Sequence, residues 1–266
     1  MPEYLPYQTR LLAAYPEQGP HRALCRLLLY LQPRRVFAVW TGPEEQLMAC
    51  HEYIGDPGLS PLMFLRLLLE RETLLREPHV EVRVYLGETP FTLLPAGQLT
   101  LQDRIRVTRL LLDDLAFEEE LLELPVDEAG ALLLTTLDPG LRHLLRQYLR
   151  HFWLGHLAQL AIPLALRLAG GRNAILLLPG DGGALMTAVR HGRLHFCNQL
   201  PVFRPDDQQY FLETVLQLCE LGPETPLWAL GETGGAPDPF AHPEFSGSWA
   251  SGDEAYRYAF FQPNPG

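Results

Sequence analysis

Asp181, Asp206, Asp207 and His195 are the side chains of this sequence whose types suit a metal-dependent hydrolytic centre. Oxygen-rich sets of this kind bind divalent cations, and a bound cation activates water. A simpler account competes with it. Asp206 or Asp207 can cap the helix that follows, at the end where the helix dipole favours negative charge. His191 falls in a hairpin turn and His195 in the strand after it, and nothing in the spacing obliges them to converge. Nucleophilic hydrolysis has less support. Ser60, Ser246, Ser248 and Ser251 are the only serines, and none stands in a G-x-S-x-G elbow. His151 and His156 are five positions apart, the wrong separation for two ligands on one helical face. His51-Glu52 has no second histidine at metalloprotease spacing. Cys25, Cys50, Cys197 and Cys219 contain no C-x-x-C pair, so neither a zinc site nor a disulfide framework is indicated. The expectation is four free, buried thiols, no catalytic residue and no metal centre.

The composition removes further chemistries. All 21 basic residues are arginine, because the chain has no lysine. Schiff-base catalysis, a Walker-A phosphate grip and a protein-kinase ion pair are therefore excluded. A formal charge of −11 opposes nucleic-acid binding, which needs a basic face to release counterions. Arg142, Arg146 and Arg150 make a local basic stripe, read here as a solvated helix face. The start, Met1-Pro2-Glu3-Tyr4-Leu5-Pro6, carries no basic and apolar leader pattern, and no apolar run reaches membrane-spanning length. The reading is a reduced, cytoplasmic protein without a membrane partner.

The elements that would position any site form a repeated pattern. Leu24–Leu31, Val36–Trp40 and Gln46–Ile54 read as three strands, Pro61–Leu75 as a helix opened by Ser60-Pro61, and Val80–Leu86 as a strand ending on Leu86-Gly87-Glu88. Ala174–Leu178, Ala184–Arg190 and Arg193–Val202 repeat the strands. Asp206–Glu220 repeats the helix, and Leu227–Leu230 ends on Leu230-Gly231-Glu232. Such self-similarity indicates an internal duplication. Between the copies, Phe91–Leu94 reads as a strand, Leu101–Leu112 as a helix, and Glu118–Leu124 with Ala131–Leu137 as a strand pair. Asp138-Pro139 opens a helix whose apolar stripe runs from Leu141 to Phe152. Leu157–Ala161 reads as a short strand and Pro163–Leu168 as a helix. Residues 1–23 read as an irregular lead-in, 24–150 as the first half and 151–266 as the second. The alternating aromatics Tyr256, Tyr258, Phe260 and Phe261 suggest a closing strand.

Arg193-Leu194-His195-Phe196-Cys197-Asn198-Gln199-Leu200 with Pro205-Asp206-Asp207-Gln208-Gln209-Tyr210-Phe211 resembles an uncharacterised bacterial domain-of-unknown-function family. Phe91-Thr92-Leu93-Leu94-Pro95 and Tyr258-Ala259-Phe260-Phe261 are similar to it as well. That family looks like a degenerate branch of the actin, sugar-kinase and heat-shock-chaperone superfamily. The resemblance implies an α/β, duplicated ribonuclease-H-like or actin-like ATPase fold. It also implies two hairpin turns, one per half, that in active members hold nucleotide phosphates through an Asp and glycine N–H groups. Backbone N–H nests suit phosphate because they satisfy its oxygens and its charge together.

Residue by residue, the carried-over chemistry is worn. The first turn, Gln32-Pro33-Arg34-Arg35, has no Asp and no Gly, and Pro33 has no N–H to offer. The second, Gly180-Asp181-Gly182-Gly183, is the better cradle, although its Asp sits mid-turn. Glycines that supply positive φ to a hairpin explain the same letters without a ligand. The adenosine-binding glycine pair of active members would fall at Gly231-Glu232, where Glu232 replaces the second glycine. The sequence thus predicts a non-catalytic, nucleotide-independent pseudo-ATPase acting as a scaffold or interaction protein, with no cofactor and an unidentified protein partner. The alternative is an ATP-binding member that uses Mg-ATP, with Gly180, Asp181, Gly182, Gly183 and Gly231 as cofactor-binding residues in a cleft between the halves.

Overall fold

Short alternating strands and capped amphipathic helices account for the local structure. The computed structural model describes residues 7–13, 22–44, 46–97, 99–112, 121–201 and 205–229. These fall into two compact units, one within 1–87 and 137–157, the other within 88–136 and 158–260.

In the first unit, β1 (Tyr7–Ala13), β2 (Arg26–Leu31), β3 (Arg35–Thr41), β4 (Leu47–Gly55), β5 (Glu81–Leu86) and β9 (Trp153–His156) form one sheet in the order β1-β4-β3-β2-β5-β9. β2, β3 and β4 are an antiparallel meander, while β5 lies parallel to β2 and β9 parallel to β5. A parallel neighbour needs a crossover, supplied here by α1 (Pro61–Arg71) and the single turn α2 (Thr73–Arg76). Ser60 caps α1 by accepting the Met63 N–H at 3.3 Å, and Phe64, Leu65, Leu68 and Leu69 are buried beneath it. α4 (Pro139–Tyr148) starts in the same way, with Asp138 accepting from Gly140 and Leu141 N–H groups at 2.6 and 3.1 Å. α4 packs on α1. Tyr148 Oη and Arg66 Nε both donate to Glu70 Oε1, at 2.8 and 2.9 Å, and these bonds hold the Glu70 carboxyl below its ordinary range.

Three expectations change here. The lead-in of residues 1–23 contains β1, which pairs antiparallel with β4 and so extends the sheet edge. Its Pro-flanked sequence hides this, because strand pairing is decided by the partner. The helix opened at Pro61 stops at Glu72 rather than running on to Leu75. The helix opened at Pro139 stops at Tyr148, with Leu149 extended, so Phe152 and Arg150 lie beyond it.

Among the described residues, the second unit holds two sheets. β10 (Ala174–Pro179), β11 (Ala184–Arg190), β12 (Arg193–Leu200) and β13 (Leu227–Ala229) take the order β12-β11-β10-β13, with β13 parallel to β10 after α6 (Pro205–Leu218). β6 (Phe91–Pro95), β7 (Leu121–Val126) and β8 (Ala131–Thr136) form an antiparallel sheet in the order β6-β8-β7, joined by α3 (Leu101–Leu112) between β6 and β7. β10 is buried from Ala174 to Leu178, as expected of a strand covered on both faces. Ile175, Leu177, Met186, Leu212, Val215 and Cys219 share one core between the sheet and α6. α5 (Ala158–Ala169) packs on β10 and β11. It replaces both the strand expected at Leu157–Ala161 and the helix start expected at Pro163. Pro163 lies inside α5, where the missing N–H and ring clash cost about 3 kcal/mol. Burial of Ala158, Ala161, Ile162, Leu164, Ala165 and Ala169 offsets that cost.

All four cysteines are free. Cys25, Cys50 and Cys219 are buried, and Cys197 is half-buried with its Sγ 3.3 Å from Thr187 Oγ1. Desolvation pushes the Cys197 thiol up to about 12. Thiolate is the reactive form, so the folded protein is expected to leave its thiols unmodified by a disulfide reagent near pH 8 on the minute scale. After unfolding in guanidinium all four should react. Rapid labelling of Cys197 in the folded protein would contradict this burial.

Candidate glycine-turn site

The turn between β10 and β11 is set by its glycines. Gly180 N–H donates to Gly183 O at 2.7 Å and closes the hairpin. Gly183 has φ +154, a value side-chain-bearing residues rarely adopt, and a Cβ there would run into Leu200 O on β12. Gly180 and Gly182 are explained differently. Neither has positive φ. Instead, the carboxylate of Glu88, in the same unit, lies against both of them. Gly182 N–H donates to Glu88 Oε2 at 2.9 Å. A Cβ on Gly182 would sit 2.7 Å from that oxygen, and one on Gly180 would collide with Glu88 Oε1. Positive φ thus accounts for one glycine of the four-residue turn, and close approach by an anion accounts for two.

The turn is therefore an oxyanion cradle in the chemical sense, since a backbone N–H meets a charged oxygen at hydrogen-bonding distance. The oxyanion is the chain's own. A nucleotide phosphate using Gly182 N–H would have to displace the Glu88 carboxylate. The residues as arranged do not fit a phosphate group. Glu88 is not a site residue by local pattern, since Leu86-Gly87-Glu88 marks only the end of a strand and its contact with Gly182 spans 94 positions.

The turn between β2 and β3, in the first unit, contains no such cradle. Gln32 N–H donates to Arg35 O at 2.8 Å, and Arg34 O accepts the Gly55 N–H at 2.8 Å. Pro33 and Arg34 occupy the tip, and Gly87 N–H, just beyond β5, donates to Leu31 O at the end of β2 at 2.8 Å. Gly231 and Glu232, with the expected closing strand of Tyr256–Phe261, lie outside the described residues.

The rival metal set does not assemble. His195 is exposed on β12, and Asp206 and Asp207 stand in the first turn of α6. Among the described residues no group of three or more His, Cys, Asp or Glu side chains is gathered so as to hold a cation. Among the same residues, no helix is long and apolar enough to cross a membrane.

Solved structures resemble this chain in fold. A protein of Bacteroides thetaiotaomicron described as having an actin-like ATPase fold and unknown function superposes with a TM-score of 0.71 at 13% identity, over 80% of this chain and 84% of that one. The PilM–PilN type IV pilus biogenesis complex matches with a TM-score of 0.50 at 15% identity, over 77% of this chain and 81% of that one. At such identities the likeness speaks for the fold, which is a mixed α/β fold of the actin-like ATPase kind. No curated protein matches the sequence. Residues 20–237 match the family model described as "Protein of unknown function (DUF3822)", and the chain belongs to that family.

Proposed function

We propose that this protein is a bacterial, cytoplasmic pseudo-ATPase, a non-catalytic scaffold or interaction protein built on a duplicated actin-like fold. The observation that carries the reading is the Glu88 carboxylate on Gly182 N–H, where a phosphate oxygen would have to bind. The worn turn Gln32–Arg35 supports it. The duplication is supported by two strand orders of one form, β4-β3-β2-β5 and β12-β11-β10-β13, each a meander, then a helix, then a parallel strand. An interaction role is suggested by the structural likeness to PilM, which is found in a complex with PilN. The partner we propose is a protein, and neither nucleic acid nor a membrane.

The alternative keeps one support: the turn does present an N–H to an oxyanion. On that reading Mg-ATP binds through Gly180, Asp181, Gly182, Gly183 and the loop from Gly231. Thermal unfolding with and without saturating Mg-ATP separates the two. Ligand at about a hundred times its dissociation constant stabilises by about 2.7 kcal/mol. In a chain of this size that raises Tm by roughly 5–10 °C. The expected result is no shift at millimolar nucleotide. A rise of that size would overturn the scaffold reading.

A further inference from the structure

The turn Gly180–Gly183 has the build of a site for a small oxyanion and already contains one. Both oxygens of Glu88 lie against glycines, one bonded to Gly182 N–H and the other against the Cβ-free face of Gly180. An alanine at 180 or 182 would press on this carboxylate, and neither position needs glycine for its φ. The two glycines are therefore shaped to the anion. Gly180 N–H is committed to Gly183 O, and Gly182 N–H donates to the carboxylate.

We propose that Glu88 is a tethered, built-in competitor for this turn, and that removing its side chain opens the turn to free phosphate. The inference rests on the proposed pseudo-ATPase reading and names its physical cause. A carboxylate attached to the same chain is present at an effective concentration of millimolar or more. A free anion must outcompete that occupant. With Glu88 in place, Gly182 N–H is already taken. Once the carboxylate is gone, Gly182 N–H and the two Cβ-free faces are exposed to solvent anions.

The test follows the backbone amide of Gly182 by NMR while inorganic phosphate is titrated into the whole chain at constant ionic strength. In the native protein the Gly182 resonance is expected to stay fixed. In Glu88→Ala and Glu88→Ser it should move along a saturable curve in the millimolar range. Glu88→Gln retains an accepting oxygen of the same reach and should stay fixed, which separates occupancy from charge. A folded Glu88→Ala or Glu88→Ser whose Gly182 amide does not respond overturns the proposal. So does a native protein that titrates as the variants do, or the unfolding of both variants, which would make the carboxylate a prop of the fold. A native Tm rise with Mg-ATP would instead strike the scaffold reading. The two ideas can therefore fail separately.

Discussion

Replacing Arg10 and Arg35 together by alanine is expected to lower stability by about 3–5 kcal/mol, the cost of stranding a buried charge. The charge is Glu52, on β4 in the first unit. Its side chain is 2% exposed, and its two oxygens meet Arg10 Nη1 at 3.2 Å and Arg35 Nη1 at 3.3 Å. Register explains the geometry. Arg10 on β1 stands directly opposite Glu52, and Arg35 on β3 is opposite Ile54, two residues along the same face. The arginines are 51% and 40% exposed, so each keeps contact with water while the carboxylate does not. The energetic weight therefore falls unevenly. Losing Glu52 leaves two arginines that are each about half exposed to water, whereas losing both cations leaves an anion in the core. Glu52→Leu should accordingly cost less than the double arginine variant, because it removes the buried charge. Urea unfolding of the three proteins would decide the order. A Glu52→Leu variant less stable than the double variant would show that this asymmetry is wrong.

Gly183→Ala is expected to cost about 3 kcal/mol, at the upper end of what a backbone strain of this kind stores. Two penalties combine there. The φ of +154 disfavours any L side chain, and the new Cβ is driven into Leu200 O, a backbone atom of the β12 strand paired with Ala184. A backbone carbonyl in a sheet cannot swing aside without breaking its ladder. Gly180→Ala is the informative contrast. Its Cβ meets only the end of the Glu88 side chain, which can move away for about 1 kcal/mol of lost hydrogen bonding. Combining Gly180→Ala with Glu88→Ala should then cost less than the sum of the two, since they share one contact. Denaturant midpoints measure all four. Equal losses for Gly180→Ala and Gly183→Ala would refute the division of roles among these glycines.

The local elements are legible in the residues alone. Caps and periodicities act within a few residues. Ser60-Pro61 and Asp138-Pro139 start helices through bonds to amides two or three positions away, and the result is visible in the letters. The meander strands and the helix at Leu101–Leu112 were legible on the same ground. So was the likeness to actin-like proteins, which rests on the order of such elements. Whatever depends on distant partners emerges only on folding. β1 is a strand because β4 offers it an edge, and Pro163 sits within a helix because burial along α5 outweighs the missing hydrogen bond. Glu88 reaches Gly182 across 94 positions of sequence, and no local rule encodes that meeting. Glycines in a turn look alike in a sequence whether they serve φ or an approaching anion. Only the folded chain, by bringing a carboxylate onto them, tells the two apart.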